Sequence, residues 1–156
     1  MSNDAWGHAL VLLTGRRLTE GELAARLERR GYKEDEVADV VERARSMAWL
    51  DDEALARDLF QDEVRRYRGP SRIRLAMLRR RLDPALIDSV METLSENIDW
   101  MAIASHYVQR YDRRDGPSKL RLARKLDREG FSRSCVWQVL DVDAPATDAK
   151  DVDGSE

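Results

Sequence analysis

The chain has 156 residues, 37% of them charged and 6% aromatic, with eight Gly and four Pro, a composition that favours long amphipathic helices over sheets with tight turns. One Cys and two His exclude an internal disulfide and a tetrahedral metal site built from these residue types, so Cys135 is expected to be a small buried apolar side chain. The net charge of −3 is uneven: residues 141–156 carry six acids and one Lys, while residues 97–140 hold nine basic and five acidic side chains, or +4, and overall charge is a poor guide to what the folded part attracts.

A first helix is predicted over roughly residues 4–15. Its apolar run, Ala9–Leu13, is too short to span a membrane, and Asp4 stands where a secretory signal needs a basic flank, so a cytoplasmic protein without membrane contact is expected. Thr19-Glu20-Gly21-Glu22 has the spacing of a capping box and opens a second helix carrying Leu23 and Leu27. Gly31 can take the left-handed conformation that ends this helix, Tyr32 staples the turn, and Val37 and Val40 lie on the next helix.

That set recurs. A shift of fifty gives Ile73, Met77, Arg81, Leu82, Ile87 and Val90, and a further forty-nine gives Leu122, Leu126, Gly130, Phe131, Val136 and Val139. Each copy has a preceding helix, roughly residues 52–67 and 99–112 in the second and third. Asp51 or Asp52 can cap the one and Asn97 or Asp99 the other; Asp83 before Pro84, and Ser132, mark the starts of the closing helices. The predicted fold is all-α: three tandem three-helix repeats over residues 1–50, 51–96 and 97–140, forming an elongated curved array, then a disordered acidic tail at 141–156.

Three local features carry expectations of their own. Arg81 stands where the other copies have Gly, which implies either a left-handed residue costing on the order of 1 kcal/mol or a different turn. The Ile73 helix is apolar on two sides, with Ile73, Ala76 and Met77 on one and Leu75, Leu78 and Leu82 on another, as expected of a helix wedged between neighbours. Trp49 and Trp100 lie near the repeat junctions and are expected to pack between units.

No Gly-rich phosphate loop and no Cys or His pair at ligand spacing is present. An enzyme is not expected, nor any cofactor or metal. Two basic features stand out instead. From Val64 to Leu82 there are Arg65, Arg66, Arg68, Arg72, Arg74, Arg79, Arg80 and Arg81 and no acid. On a helix at 100° per residue, Arg121, Arg124, Lys125 and Arg128 share one face opposite Leu122 and Leu126. Cations without interleaved acids point to a face for anionic groups, phosphates or carboxylates.

The phrase Trp49-Leu50-Asp51-Asp52-Glu53-Ala54-Leu55-Ala56-Arg57, the run Gly69-Pro70-Ser71-Arg72-Ile73-Arg74, Arg30-Gly31-Tyr32 and Arg128-Glu129-Gly130-Phe131 resemble the RecX family of bacterial recombination regulators, over roughly residues 5–140. Leu55, Ala76 and Arg81 depart from that family's usual Phe, acid and Gly. The resemblance implies tandem three-helix repeats without catalytic residues, acting as a monomer in DNA repair and the SOS response. Its implied partner is the RecA filament, bound in the groove, with recombinase, ATPase and coprotease activities restrained. Single- or double-stranded DNA is a further expected partner of the basic faces. Two other readings stay open: a helical DNA-binding module acting without a filament, and a helical adaptor for an acidic protein.

Overall fold

A computed structural model describes residues 2–111 and 118–140; the expected disordered tail at 141–156 lies outside these. Among the described residues there are nine helices and no strand: α1 Ser2–Gly15, α2 Glu20–Arg29, α3 Glu34–Ser46, α4 Asp52–Arg65, α5 Pro70–Arg79, α6 Pro84–Ser95, α7 Trp100–Tyr111, α8 Lys119–Arg128 and α9 Arg133–Val139. The protein is an all-α helical repeat.

Helix ends follow the local sequence. Thr19 and Glu22 form the reciprocal capping box of α2, the Thr19 hydroxyl accepting from the Glu22 N–H and the Glu22 carboxylate from the Thr19 N–H. Asp51, Asp99 and Ser132 accept from the N–H groups of Ala54, Ala102 and Cys135. Asp83 precedes Pro84 at the start of α6 but makes no side-chain cap bond. After the middle helix of each triplet the chain turns in the same way. Gly31, Arg81 and Gly130 have φ of +93°, +54° and +92°, and the next residue donates back across the turn, Tyr32 to Leu27, Leu82 to Met77 and Phe131 to Leu126, at 3.3, 3.3 and 3.2 Å. Arg81 thus adopts the left-handed turn that its counterparts make with Gly.

The apolar residues gather into three cores. Leu23, Leu27, Val37 and Val40 pack with Ala5, Ala9, Leu13 and Leu18. Ile73, Met77, Leu82, Ile87 and Val90 pack with Leu55 and Phe60, and Leu122, Leu126, Phe131 and Val136 with Ala104 and Tyr107. Helix packing is concentrated inside the triplets α1–α3, α4–α6 and α7–α9, as expected of repeats that each close their own core. Cys135 is buried, and its thiol lies 3.7 Å from the Trp100 carbonyl oxygen.

The triplets meet end-on. The N-terminus of α5 docks on the turn after α8: the Gly69 N–H donates to the Glu129 carbonyl at 2.6 Å and the Ser71 N–H to the Gly130 carbonyl at 3.1 Å. N–H groups without partners at a helix start thereby satisfy carbonyls without partners at a helix end, and the two helix dipoles meet with opposite signs. At the first junction the Thr19 hydroxyl donates to the Arg80 carbonyl at 2.6 Å, and the Glu20 N–H to the Asp52 carboxylate at 3.0 Å. Small residues permit the approach, since a Cβ on Gly21 would lie 2.5 Å from the Arg81 oxygen and one on Gly130 2.4 Å from the Arg72 nitrogen.

End-on contact also accounts for two departures from expectation. The helix α5 is not wedged: Ile73 and Met77 are buried, but Leu75 and Leu78 are 45% and 42% exposed, because the neighbouring triplet touches the end of α5 rather than its side. Trp100 does bridge, packing against the second and third cores with its ring edge-on to Phe60. Trp49, by contrast, is 42% exposed.

The two left-handed glycines separate turn strain from junction strain. A Cβ on Gly31 meets nothing within 4 Å, so Gly31→Ala should cost only the left-handed penalty of about 1 kcal/mol. Gly130→Ala adds an overlap with the Arg72 backbone and should lower the melting temperature at least twice as far (roughly, by). Equal losses in thermal unfolding would remove the junction from the account.

Candidate functional site

Most of the Arg65–Arg81 run is already paired. Arg65 meets Asp62 at 3.1 Å and Arg66 meets Glu63 at 3.4 Å, one turn back on α4, and Arg74 pairs with Asp88 of α6. These arginine side chains are 42–71% exposed, and such pairs contribute little to stability and remain available to a stronger anion.

Three others belong to the junctions. Arg68 and Arg72 converge on the Glu129 carboxylate, Arg72 at 2.9 Å. Arg80 forks onto Glu22, with one contact at 3.2 Å, and donates to the Arg17 carbonyl at 3.0 Å. In the repeat register Glu22 corresponds to Arg72 and Arg80 to Glu129. Both junctions therefore carry the same ion pair with its charges exchanged. The Glu22, Glu129 and Arg80 side chains keep only 13%, 15% and 25% of their surface exposed, so removing one partner strands a largely desolvated charge.

The other members of the two basic features make no ion pair among the described residues: Arg79, Arg81, Arg121, Arg124, Lys125 and Arg128. On α8, Arg121, Arg124 and Arg128 are exposed opposite buried Leu122 and Leu126. Lys125 is half-buried, its Nζ 4.1 Å from the Tyr111 ring centroid. Arg79 joins this region across the second junction, lining an open cavity of about 330 Å³ with Arg72, Leu75, Asp127 and Arg128. Sequence reading missed this convergence of α5 with α8. The signal available was the second apolar side of α5, whose Leu75 lies beside these cations instead of under a neighbouring helix.

The electrostatics of the region belong to its junctions. Burial pulls the Glu22 carboxyl upward, but hydrogen bonds from Arg80 and the Thr19 N–H, with the Arg80 and Arg16 charges, outweigh it and hold the group below its ordinary 4.5. Burial chiefly, with the nearby Glu20 charge, pushes Asp52 up despite its bond from the Glu20 N–H and the Arg45 charge. Burial, with Asp99 adding to it, raises the Cys135 thiol, which keeps its proton and is not an activated nucleophile. Among the described residues, no group of three His, Cys, Asp or Glu side chains could hold a metal ion. No helix of the described residues is long and apolar enough to cross a membrane.

A depressed carboxylate adds stability that is fully present above its ordinary value near 4.5 and lost as pH falls through its lower folded value. Asp52, being raised, titrates in the opposite sense. Glu22→Gln should therefore lower the melting temperature at neutral pH and flatten the fall in stability on acidification. A variant with the wild-type acid limb, followed by circular dichroism from pH 7 downward, would show that Glu22 is not held by Arg80.

Residues 5–43 match the family model "RecX, first three-helix domain". The regulatory protein RecX of Halorhodospira halophila is 34% identical over 135 residues, 82% of this chain and 81% of the relative. That of Syntrophotalea carbinolica is 29% identical over 142 residues, 86% and 93% of the two chains. The crystal structure of RecX from Lactobacillus salivarius superposes with a TM-score of 0.77 at 14% identity, covering 90% of this chain and 94% of that one. With the repeat, the end-on junctions and these relatives together, the chain belongs to the RecX family of regulatory proteins.

Proposed function

We propose that this chain binds the RecA filament on single-stranded DNA and restrains its recombinase, ATPase and coprotease activities. Membership of a family of regulatory proteins supports the class of role. The observation that carries the site is the row Arg121, Arg124 and Arg128, exposed on α8 and unpaired among the described residues, with Arg79 joining it across the second junction. Arg65, Arg66, Arg74 and Arg81 widen the basic surface, whereas Arg68, Arg72 and Arg80 serve the junctions.

The mechanism follows from the architecture. A filament presents the same surface at regular intervals along its groove, and a chain of self-contained triplets can contact successive subunits. Weak contacts then add through effective concentration. A protein seated there obstructs an incoming duplex, and it biases the filament between its forms if it binds them unequally.

Replacing Arg121, Arg124 and Arg128 by Gln leaves Lys125 on Tyr111 and the core untouched, so the melting temperature should stay within about 2 °C (surface changes cost little). At about 0.5 kcal/mol per exposed charge, affinity for RecA filaments should fall on the order of tenfold in co-sedimentation, with a matching loss of ATPase inhibition. Naked single-stranded DNA is the control, and the wild type should bind it far less tightly than the filament. Undiminished filament binding by the triple variant at physiological salt would reject the α8 face, and equal binding to filament and naked DNA would favour a module that acts on DNA directly.

A further inference from the structure

Beside the second junction, where α4 ends against α7, aromatic rings and cations alternate on one surface. Tyr67 holds φ of +60°, a left-handed conformation rare for a bulky side chain, and its N–H is tied to the Val64 carbonyl at 2.9 Å. Strain of this kind persists where the surrounding fold fixes it and is found disproportionately at binding sites. The Tyr67 ring centroid lies 6.5 Å from that of His106, and the Arg110 guanidinium stands 5.3 Å from the Tyr67 ring. One turn along α7, Tyr111 lies 4.9 Å from buried Tyr107, with the Lys125 ammonium over its ring. His106, Arg110 and Tyr111 are exposed, and Tyr67 is half-buried.

Two adjoining open cavities of about 330 and 340 Å³ share Tyr67 and Arg110 as lining, at the low end of the range for small-ligand sites, roughly 300–1,000 Å³. Gln109 lines the first and supplies amide donors and an acceptor. Arg66 lines the second together with Glu129, whose carboxylate is taken by Arg68 and Arg72. Flat aromatic faces accept an unstacked base, and cations beside them accept its phosphates. A duplex keeps its bases stacked and offers neither cavity a free face. An apolar protein segment would need an aliphatic floor, which these linings lack.

We propose that this surface is a stacking site for one or two nucleotides of single-stranded nucleic acid, Tyr67 and Tyr111 contacting the bases and Arg66 and Arg110 the phosphates. The site is built from residues other than the exposed α8 arginines and does not require the RecA reading. Fluorescence anisotropy without RecA tests it on the full chain, comparing a labelled oligothymidylate with an abasic oligomer of equal length and charge. The base-bearing oligomer should bind about tenfold more tightly, in the range stacking on an aromatic side chain provides. Tyr67→Leu, which keeps apolar packing, should reduce that preference to within about twofold. Tyr111→Leu, at the exposed ring of the pair, should do the same should the Tyr67 variant fail to fold. An oligouridylate bound with the same Tyr67 dependence extends the site to RNA; one bound no better than the abasic oligomer assigns it to DNA. Equal affinity of the wild type for oligothymidylate and abasic oligomer, or a preference that survives in folded variants, overturns the proposal.

Discussion

The contact on which this architecture depends is the docking of a helix start onto the turn that ends another helix one triplet further along. Each triplet buries its own core, so without these end contacts the chain would be three small bundles on a string. Bundles of this size are marginal alone. Backbone satisfies backbone where Gly69 and Ser71 donate to Glu129 and Gly130, and the close approach admits no Cβ at Gly130. The same approach draws in Arg80 with Glu22, and Arg68 and Arg72 with Glu129. The exchanged polarity of the two pairs has a further consequence. Were α2 to dock on the turn after α8, Glu22 would face Glu129, so that misdocking brings like charges together. The ion pairs thus disfavour that misdocking, a use of partly buried charge better attested than net stabilisation.

That allocation separates the arginines held by carboxylates from those that make no ion pair among the described residues. A surface with this many arginines invites the view that all of them bind, yet three are held across the junctions by carboxylates and others pair within their own triplet. Of the two basic features, what makes no ion pair among the described residues is the α8 row with Arg79 and Arg81, and Arg79 and Arg128 line one cavity. The corresponding helix in the first triplet, α2, carries Glu20 and Glu22 among its basic residues. One scaffold position is therefore mixed in one copy and basic in another, as expected when repeats share a fold but divide its tasks.

Much of the fold was legible because its determinants are local. The spacing Leu23, Leu27, Gly31, Tyr32 and its two echoes encode an amphipathic helix, a left-handed turn and a staple, each set within a few residues. Capping by Thr19, Asp51, Asp99 and Ser132 is equally local. What escaped was long-range. The acids that engage Arg68, Arg72 and Arg80 lie 57–61 residues away in sequence, so an acid-free run looked free. Leu75 and Leu78 suggested a wedge because periodicity records which sides of a helix are apolar but not which are covered. The Tyr67 surface was hidden for the same reason, since α4 and α7 meet only in three dimensions. On α7 alone the four-residue spacings of His106 with Arg110 and Tyr107 with Tyr111 placed rings and a cation on neighbouring faces.

The central claim is that oppositely charged partners at equivalent positions couple each triplet to the next. A double-mutant cycle across the first junction tests it most directly, because Glu22→Arg with Arg80→Glu converts that pair to the polarity of the second. Thermal unfolding should show each single reversal destabilising and the double reversal recovering most of the loss, a coupling of about 1–3 kcal/mol for residues in one ion pair. A double variant no more stable than the sum of its singles would contradict the account.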